Sequence, residues 1–156
     1  RGHIMPKMSA GILLYRYFND QLELLLVHPG GPFWANKDPG SWSIPKGLVE
    51  ENENHLDAAK REFKEETGFE IGGYFKDLGE LRQSNSKIVH AFAQERDLDV
   101  SEIESNTFTI DWGGKEREYP EIDRAKWFSV DEAREKILKG QKDFIDKLLK
   151  TQNNSG

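Results

Sequence analysis

The residues best suited to chemistry are three glutamates, Glu62, Glu65 and Glu66, which fall close together in the chain. On a helix, like charges three or four positions apart cost about 0.2–0.5 kcal/mol per pair. One interpretation is a solvated charged face, with Lys60 and Lys64 offsetting part of the repulsion. The other is a site for Mg²⁺ or Mn²⁺, because these ions prefer oxygen ligands and would turn the repulsion into binding.

A helix is predicted around these glutamates, beginning near Asn54. Leu56, Ala59 and Phe63 recur at spacings of three and four, and Gly68 follows as a stop signal. Each residue advances about 100° around the helix axis, which separates an apolar face from a neighbouring acidic face. The apolar face would anchor the helix, and the acidic face is left to line a site.

The glutamates also belong to a longer pattern, G-x5-E-x7-R-E-U-x-E-E-x-G-U, in which U is an apolar residue. Its defined positions are filled by Gly47, Glu53, Arg61, Glu62, Phe63, Glu65, Glu66, Gly68 and Phe69. The stretch from Gly47 to Phe69 therefore resembles the signature sequence, or box, of the Nudix hydrolases. "SIPKG" before the helix and "KWFSVDEA" near the end are also similar to that family, so the resemblance covers most of the chain.

The resemblance implies both a fold and an activity. The fold is an α/β/α sandwich, an α+β arrangement in which helices flank a mixed β-sheet. The activity is hydrolysis of a pyrophosphate bond in a nucleoside diphosphate linked to another moiety, with Mg²⁺ or Mn²⁺ as cofactor. Glu62 and Glu66 are the first candidates for metal ligands, and Glu65 is a further ligand or the general base. Gly47 would let the backbone approach the metal closely, since it has no side chain.

The remaining box residues have supporting roles under the same resemblance. Arg61 is expected to hydrogen-bond a box carboxylate and orient it for catalysis, with a simple surface ion pair as the alternative. Glu53 would support the loop-to-helix turn, and Gly68 would end the helix. Outside the box, Glu121 lies six residues before Trp127, a spacing at which related hydrolases carry an additional catalytic carboxylate. The alternative for Glu121 is a solvated loop glutamate.

Substrate contacts are sought among basic and aromatic residues, because an acidic protein must place positive charge near an anionic substrate. Lys46 and Lys87 are candidate phosphate ligands, and each could equally be a surface lysine. Trp42 is a candidate for stacking on a base, as are Trp34 and Phe92, with core packing as the alternative role. His28 and His90, in predicted strands, are interpreted as packing residues.

The predicted substrate is a dinucleoside polyphosphate such as diadenosine tetraphosphate. "WSIPKGLVE" and the spacing of Glu121 to Trp127 resemble the diadenosine polyphosphate hydrolases, although the tyrosine typical of that group beyond the box is absent. Nucleoside triphosphates and diphosphoinositol polyphosphates are the alternatives. A non-catalytic nucleotide-sensing module is a further alternative, but such modules usually lose box glutamates and this chain keeps them.

Composition excludes several other classes of function. The formal net charge of −6 over 156 residues argues against non-specific nucleic-acid binding. No apolar run approaches the roughly 20 residues of a membrane span, so no membrane partner is expected. The chain has no cysteine, which favours a reducing, cytoplasmic location. A small-molecule nucleotide is the predicted partner, and the sequence predicts no oligomeric state.

The domain boundaries follow from the apolar patterns. Residues 1–7 are expected to be an expression remnant and a disordered start, residues 8–150 a single domain, and residues 151–156 a polar tail. A β-hairpin is predicted over 11–17 and 22–28, turning at Asn19 and Asp20. Further strands are predicted over 69–83, 87–96, 106–112 and 124–130, with a bulge or bend at Gly72 and Gly73 and a loop over 113–123. Helices are predicted over 130–138 and 142–150.

Overall fold

The computed structural model describes residues 5–153, which form a β-sheet, a separate hairpin and three α-helices. The elements in chain order are β1 (Lys7–Phe18), β2 (Gln21–Pro29), β3 (Lys46–Leu48), α1 (His55–Thr67), β4 (Lys76–Ser84), β5 (Lys87–Glu95), β6 (Thr107–Trp112), β7 (Lys115–Pro120), β8 (Ile122–Ser129), α2 (Val130–Lys136) and α3 (Asp143–Asn153). Over residues 5–153, no helix has the length and apolar character needed to cross a membrane.

Strand β1 is the centre of the sheet, whose strand order is β4-β5-β1-β2-β8. It pairs parallel with β5 on one side, and on the other it pairs antiparallel with β2 and β3. The run from Ser9 to Tyr15 is buried throughout, as expected for a strand covered on both faces. The predicted mixed sheet is confirmed.

Helices cover both faces of this sheet. Successive side chains of a strand point to opposite faces, and Ile12 accordingly packs with Phe63 of α1 in one apolar cluster. Leu13 packs instead in a second cluster with Ala133 of α2 and Phe144 of α3. The predicted arrangement of helix, sheet and helix is confirmed.

Helix α1 ends where its capping residues predict. The side chain of Asn54 accepts a hydrogen bond from the backbone N–H of Asp57, and Gly68 adopts a left-handed φ of 81°. These contacts satisfy backbone groups that a helix end would otherwise leave unpaired. The predicted hairpin also forms, with Asn19 and Asp20 at φ values of 52° and 63° in a two-residue turn.

Two predictions about the strands are wrong. Strand β4 begins only at Lys76 rather than at residue 69, and its register shifts between Asp77 and Gly79. The bend predicted at Gly72 and Gly73 is present at Gly73, which has a φ of 97°. The segment predicted as a loop over 113–123 contains β7, which pairs with β6 in a separate two-stranded sheet. Its side chains are almost all exposed, so β7 lacks the apolar alternation by which a half-buried strand is recognised.

The chain ends differ slightly from the predicted boundaries. Of the predicted leader 1–7, residues 1–4 lie outside the described residues, and Lys7 is the first residue of β1. Of the predicted tail 151–156, Thr151 to Asn153 continue α3, and residues 154–156 lie outside the described residues. Helix α2 begins at a capping box formed by Ser129 and Glu132, as predicted.

Candidate active site

Arg61 is the centre of the hydrogen-bond network on the acidic face of α1. Its Nε and Nη2 donate to the two carboxylate oxygens of Glu53 at 2.9 and 3.0 Å. Its Nη1 donates to Glu62 at 2.7 Å and to Glu65 at 3.0 Å, and Nη2 also reaches the carbonyl oxygen of Leu48. Arg61 therefore orients two of the candidate metal ligands and ties the helix to the preceding loop.

Gly47 lies directly against Glu62. A methyl group added at Gly47 would overlap the carboxyl group of Glu62, so any larger residue would displace that carboxylate. Burial raises the pKa of Glu62, the hydrogen bond from Arg61 opposes this effect, and the charge of Glu65 adds to it. The glycine thus determines where the Glu62 carboxylate lies as well as how close the backbone comes to it.

Glu66 accepts a hydrogen bond from strand β3, and the pKa of its carboxyl group is strongly raised. The backbone N–H of Lys46 donates to its carboxylate at 3.1 Å. Burial raises the pKa of Glu66 to about 8, with Lys46 opposing the shift and the charges of Glu121 and Glu62 adding to it. Perturbed carboxyl groups of this kind are typical of functional sites.

A chain of backbone hydrogen bonds brings Glu121 to the same place. The N–H of Asn106 donates to the carbonyl of Glu65 at 2.9 Å, and the N–H of Glu121 donates to the carbonyl of Asn106 at 2.8 Å. Burial raises the pKa of the Glu121 carboxyl, and the charges of Glu62 and Glu65 raise it further. The fold therefore brings Glu121, from well outside the box, to Glu62, Glu65 and Glu66. We refer to these four residues as the acidic cluster.

Both predicted phosphate ligands face a cavity of about 580 Å³ that Glu66 and Glu121 also line. Burial lowers the pKa of Lys46, and the nearby charge of Lys87 lowers it further, while Glu66 opposes the shift. Lys87 lies close enough to Lys46 to lower the pKa of that lysine, so the two side chains form a positive region beside the acidic cluster. An anionic group entering the cavity would relieve their repulsion.

The prediction for Trp42 is wrong. Its side chain is only 1% exposed, and it packs edge-on against Phe128 in the core. Its indole N–H donates to Asp38, so no face of the ring is available to a base. Phe92 is likewise buried. The packing prediction for His28 is confirmed, because it is fully buried in contact with Trp42.

Trp34 is the aromatic side chain that the structure brings to the cavity, and it also lines a second cavity of about 320 Å³. Phe33 contacts it edge to face at 5.3 Å and is 70% exposed. Phe108 of β6 and Glu121 line the second cavity as well. Glu121 and Trp34 thus lie between the two cavities.

Sequence reasoning missed several residues that line these cavities. They comprise polar residues near the β4–β5 turn and beside Trp42, and apolar residues of β6 and β8, namely Gln83, Ser84, Ser86, Ser41, Ser43, Phe108, Ile110 and Ile122. The run of small polar residues in "QSNSK" was the available signal for the turn. Nothing in the local sequence indicates that β6 reaches the site.

The acidic cluster fits a divalent cation. The charges of Glu121 and Glu62 raise the pKa of Glu66, and the charge of Glu62 also raises the pKa of Glu121. A bound cation would relieve that repulsion, and carboxylate oxygens are the ligands that Mg²⁺ prefers. Arg61 already compensates Glu62 and Glu65 in part, whereas Lys46 only partly opposes the raised pKa of Glu66.

A comparison with protein families agrees with this arrangement of residues. The model of the NUDIX domain matches residues 5–148. The chain belongs to the Nudix family. Among curated relatives, the asymmetrical bis(5′-nucleosyl)-tetraphosphatase of Mus musculus is 32% identical over 107 residues. That match includes 64% of this chain and 63% of the mouse protein, so the chain spans less than two thirds of that relative's length.

Solved structures share the Nudix fold. An Ap4A hydrolase from C. elegans, in a binary complex, superposes with a TM-score of 0.63 at 18% identity and covers 95% of this chain and 98% of its own. The NUDIX domain of Shewanella oneidensis NrtR, crystallised with ADP ribose, has a TM-score of 0.66 at 16% identity. Its coverage is 94% of this chain and 88% of its own. At these identities the similarity concerns the fold alone.

Proposed function

We propose that this Nudix protein hydrolyses a pyrophosphate bond in a nucleoside diphosphate linked to another moiety, with Mg²⁺ or Mn²⁺ as cofactor. The observation that carries the proposal is the single cavity lined by Glu66, Glu121, Lys46 and Lys87. It combines carboxylates for a cation with ammonium groups for phosphate oxygens. Carboxylates alone would repel a pyrophosphate, and the two ammonium groups alone would leave part of its negative charge without a partner.

Each side chain has a defined task in this reaction. Glu62 and Glu66 would hold the cation, and Gly47 and Arg61 position the first of these carboxylates. A divalent cation supplies positive charge that neutralises the phosphate oxygens as charge develops in the transition state. The two lysines would bind the remaining phosphate oxygens and align the substrate in the cavity.

The proton of the attacking water needs an acceptor close to the phosphorus. Glu65 and Glu121 are the two candidates, and the carboxyl pKa of Glu121 is raised by burial and by the charges of Glu62 and Glu65. A carboxylate with a raised pKa is a stronger base, and its efficiency increases as the pKa approaches the working pH. Glu121 is therefore the preferred general base, and Glu65, which binds Arg61, the alternative.

A dinucleoside polyphosphate is the preferred substrate. The second cavity offers the aromatic rings of Phe33, Trp34 and Phe108 next to the phosphate region, and aromatic side chains stack on bases at about 1–3 kcal/mol each. These rings form the proposed base site. The Nζ atom of Lys37 lies 4.1 Å from the centroid of the Phe33 ring, so a positive charge lies beside that site as well. The name of the mouse relative, a bis(5′-nucleosyl)-tetraphosphatase, supports the same substrate class.

The aromatic lining also ranks the alternatives. A nucleoside triphosphate could use the same base site with one nucleoside, whereas a diphosphoinositol polyphosphate would leave the rings without a stacking partner. A non-catalytic nucleotide-sensing module would need the same cavity but not the perturbed glutamates.

A substrate panel with Mg²⁺, run against an EDTA control, tests the proposal. It should contain diadenosine tetraphosphate, ADP ribose, nucleoside triphosphates and a diphosphoinositol polyphosphate, with the products identified by mass spectrometry. We expect cation-dependent cleavage that is fastest for diadenosine tetraphosphate. Binding of nucleotides without turnover of any panel member would contradict catalysis and support the sensing module.

A further inference from the structure

A second group of potential metal ligands lies at the opposite end of α1 from the box glutamates. The Nδ1 atoms of His55 and His90 are 2.8 Å apart, and a carboxylate oxygen of Glu80 is 3.9 Å from His90 Nδ1. One ligand atom from each of the three residues lies within 4.8 Å of the others. No other such trio is found among residues 5–153. We refer to these residues as the histidine cluster.

Three separate elements build the histidine cluster. His55 is the first residue of α1, and Glu80 of β4 is the direct register partner of His90 on β5. Residues directly opposite on antiparallel strands have adjacent side chains, so strand pairing alone places Glu80 beside His90. The packing of α1 on the sheet then adds His55.

The second nitrogen of His90 determines which atom is available to a metal. His90 Nε2 lies 2.7 Å from a carboxylate oxygen of Asp77, and a carboxylate only accepts hydrogen bonds. Nε2 must therefore carry a proton, and the neutral ring presents the lone pair of Nδ1 to the cluster. A histidine that binds metal through one nitrogen and donates to a carboxylate through the other is the usual arrangement in metal sites.

The ring of His90 is also held in place before any metal binds. It stacks on Phe92, with 4.4 Å between the ring centroids and an angle of 21° between their planes. Its side chain is 14% exposed, whereas that of Glu80 is 47% exposed. The packing predicted for His90 therefore coexists with a nitrogen directed at an accessible cluster, and a metal ion can approach from the Glu80 side.

We propose that His55, Glu80 and His90 bind one Zn²⁺ ion. Two imidazoles and a carboxylate are a common ligand set for zinc, and at Zn–N distances of about 2.0–2.1 Å a tetrahedral site separates its ligand atoms by about 3.3 Å. The observed separations of 2.8 and 3.9 Å lie on either side of that value. Small side-chain rotations would therefore complete the site, with water in the fourth position.

This zinc site is distinct from the magnesium site proposed for the box. At 1.5 Å per residue, the Cα atoms of His55 and Glu66 are separated by about 16 Å along α1. Their donor atoms also differ, because imidazole favours zinc and all-oxygen sites favour magnesium. The ion would join the start of α1 to β4 and β5 and stabilise their contact. The inference does not depend on the proposed hydrolase activity.

The alternative is a hydrogen bond without metal, in which His55 Nδ1–H donates to His90 Nδ1. Zinc titration of the metal-stripped protein against a chromophoric chelator distinguishes the two. The titration is made in a Glu62→Gln, Glu66→Gln background, which removes the box carboxylates as competing ligands. We expect one tightly bound zinc per chain and a higher melting temperature on zinc addition. Absence of stoichiometric zinc in this background would overturn the proposal.

Substitutions locate the bound ion. His55→Ala and Glu80→Gln should each weaken zinc binding, His55→Ala by at least about 100-fold, and Asp77→Asn should weaken it by about 10-fold without lowering the melting temperature of the metal-free protein. Glu95→Gln is the matched control for Glu80→Gln, because Glu95 lies exposed at the end of β5, and it should leave the affinity unchanged. Equal affinity in His55→Ala and its parent would overturn the assignment.

X-ray absorption at the zinc edge provides a test that does not rely on folding of the variants. Bound histidine gives a multiple-scattering pattern that carboxylate and water ligands lack. Two imidazole ligands per zinc in the Glu62→Gln, Glu66→Gln protein would support the site. An oxygen-only coordination shell would exclude it.

Discussion

The backbone N–H of Lys46 donates a 3.1 Å hydrogen bond to the carboxylate of Glu66, which joins strand β3 to the acidic face of α1. One hydrogen bond from a neutral N–H group offsets only a small part of the cost of burying the charge of this carboxylate. Burial raises the pKa of Glu66 to about 8, and the side-chain charge of Lys46 only partly opposes that shift. Glu66 therefore links cation binding, proton binding and folding stability.

The first prediction concerns stability without a cation. Because the pKa of Glu66 is raised from its ordinary 4.5 to about 8, the folded state holds this proton more tightly than the unfolded state does. The resulting stability is fully present below pH 4.5 and is lost as the pH rises toward about 8. Thermal unfolding in EDTA from pH 5 to 9 should show this decline, and Glu66→Gln should reduce it. Parallel pH profiles in the two proteins would contradict the assignment.

The second prediction concerns turnover. Glu66→Gln keeps the side-chain volume but removes the charge that would hold the cation, so kcat should fall by about 10³-fold or more. The melting temperature at pH 8 should be unchanged or higher, because a buried charge is removed. Glu70→Gln is the control, since Glu70 is exposed and its carboxylate lies 3.5 Å from the ammonium group of Lys64. Near-normal activity in Glu66→Gln would remove it from the metal site.

Glu121 should be needed for catalysis although it lies outside the box. Glu121→Gln removes a carboxylate that interacts with Glu62 and Glu65, and we expect kcat to fall by about 10-fold or more, as for a lost proton-transfer group. Glu116→Gln is the control, because Glu116 lies exposed on β7. Steady-state kinetics of both variants decide the matter, and equal, negligible effects would exclude Glu121.

The position of the Glu62 carboxylate should depend on Gly47. Gly47→Ala introduces a methyl group where that carboxylate lies, and a displacement of about 1 Å in a catalytic group can cost 10²-fold in rate. We expect a loss of about 10²-fold in kcat/KM. Gly72→Ala is the matched control, because an added methyl group there has no neighbour within 4 Å. A fully active Gly47→Ala enzyme would show that the contact is not needed.

Trp34 should contribute to base binding. Trp34→Ala removes a ring between the two cavities, and loss of one stacking contact of about 1–3 kcal/mol should raise KM for diadenosine tetraphosphate by about 10-fold. We expect kcat to change little, because the proposed reaction assigns this ring to base binding and assigns cation binding and proton transfer to the glutamates. Trp112→Ala, at a tryptophan that is 53% exposed on β6, should leave KM unchanged. An unchanged KM in Trp34→Ala would place the base elsewhere.

Local features of the chain were the most predictable. The box pattern identifies Gly47, Arg61 and the glutamates as residues of one site, and the caps at Asn54 and Gly68 mark the two ends of α1. The hairpin turn at Asn19 and Asp20 was equally clear. Each of these depends on residues close in sequence, whose geometry is set by helix period, turn conformation and capping.

Predictions became wrong where burial decided the outcome. Trp42 and Trp34 are indistinguishable as residue types, yet one is enclosed by the core and the other lines both cavities. Strand β7 was missed because its side chains are exposed, so pairing with β6 left no apolar pattern to detect. Hydrophobic periodicity reports that a face is covered, but it does not report what covers it.

The identity of the box residues and their order along α1 follow from the amino-acid sequence, since helical spacing alone puts the carboxylates on one face. Tertiary structure decided which distant groups join them. Backbone hydrogen bonds through Asn106 bring Glu121 to the cluster, the turn before β5 brings Lys87 beside Lys46, and strand register places Glu80 against His90. These contacts depend on sheet order and on packing between elements far apart in the chain, which no local spacing specifies.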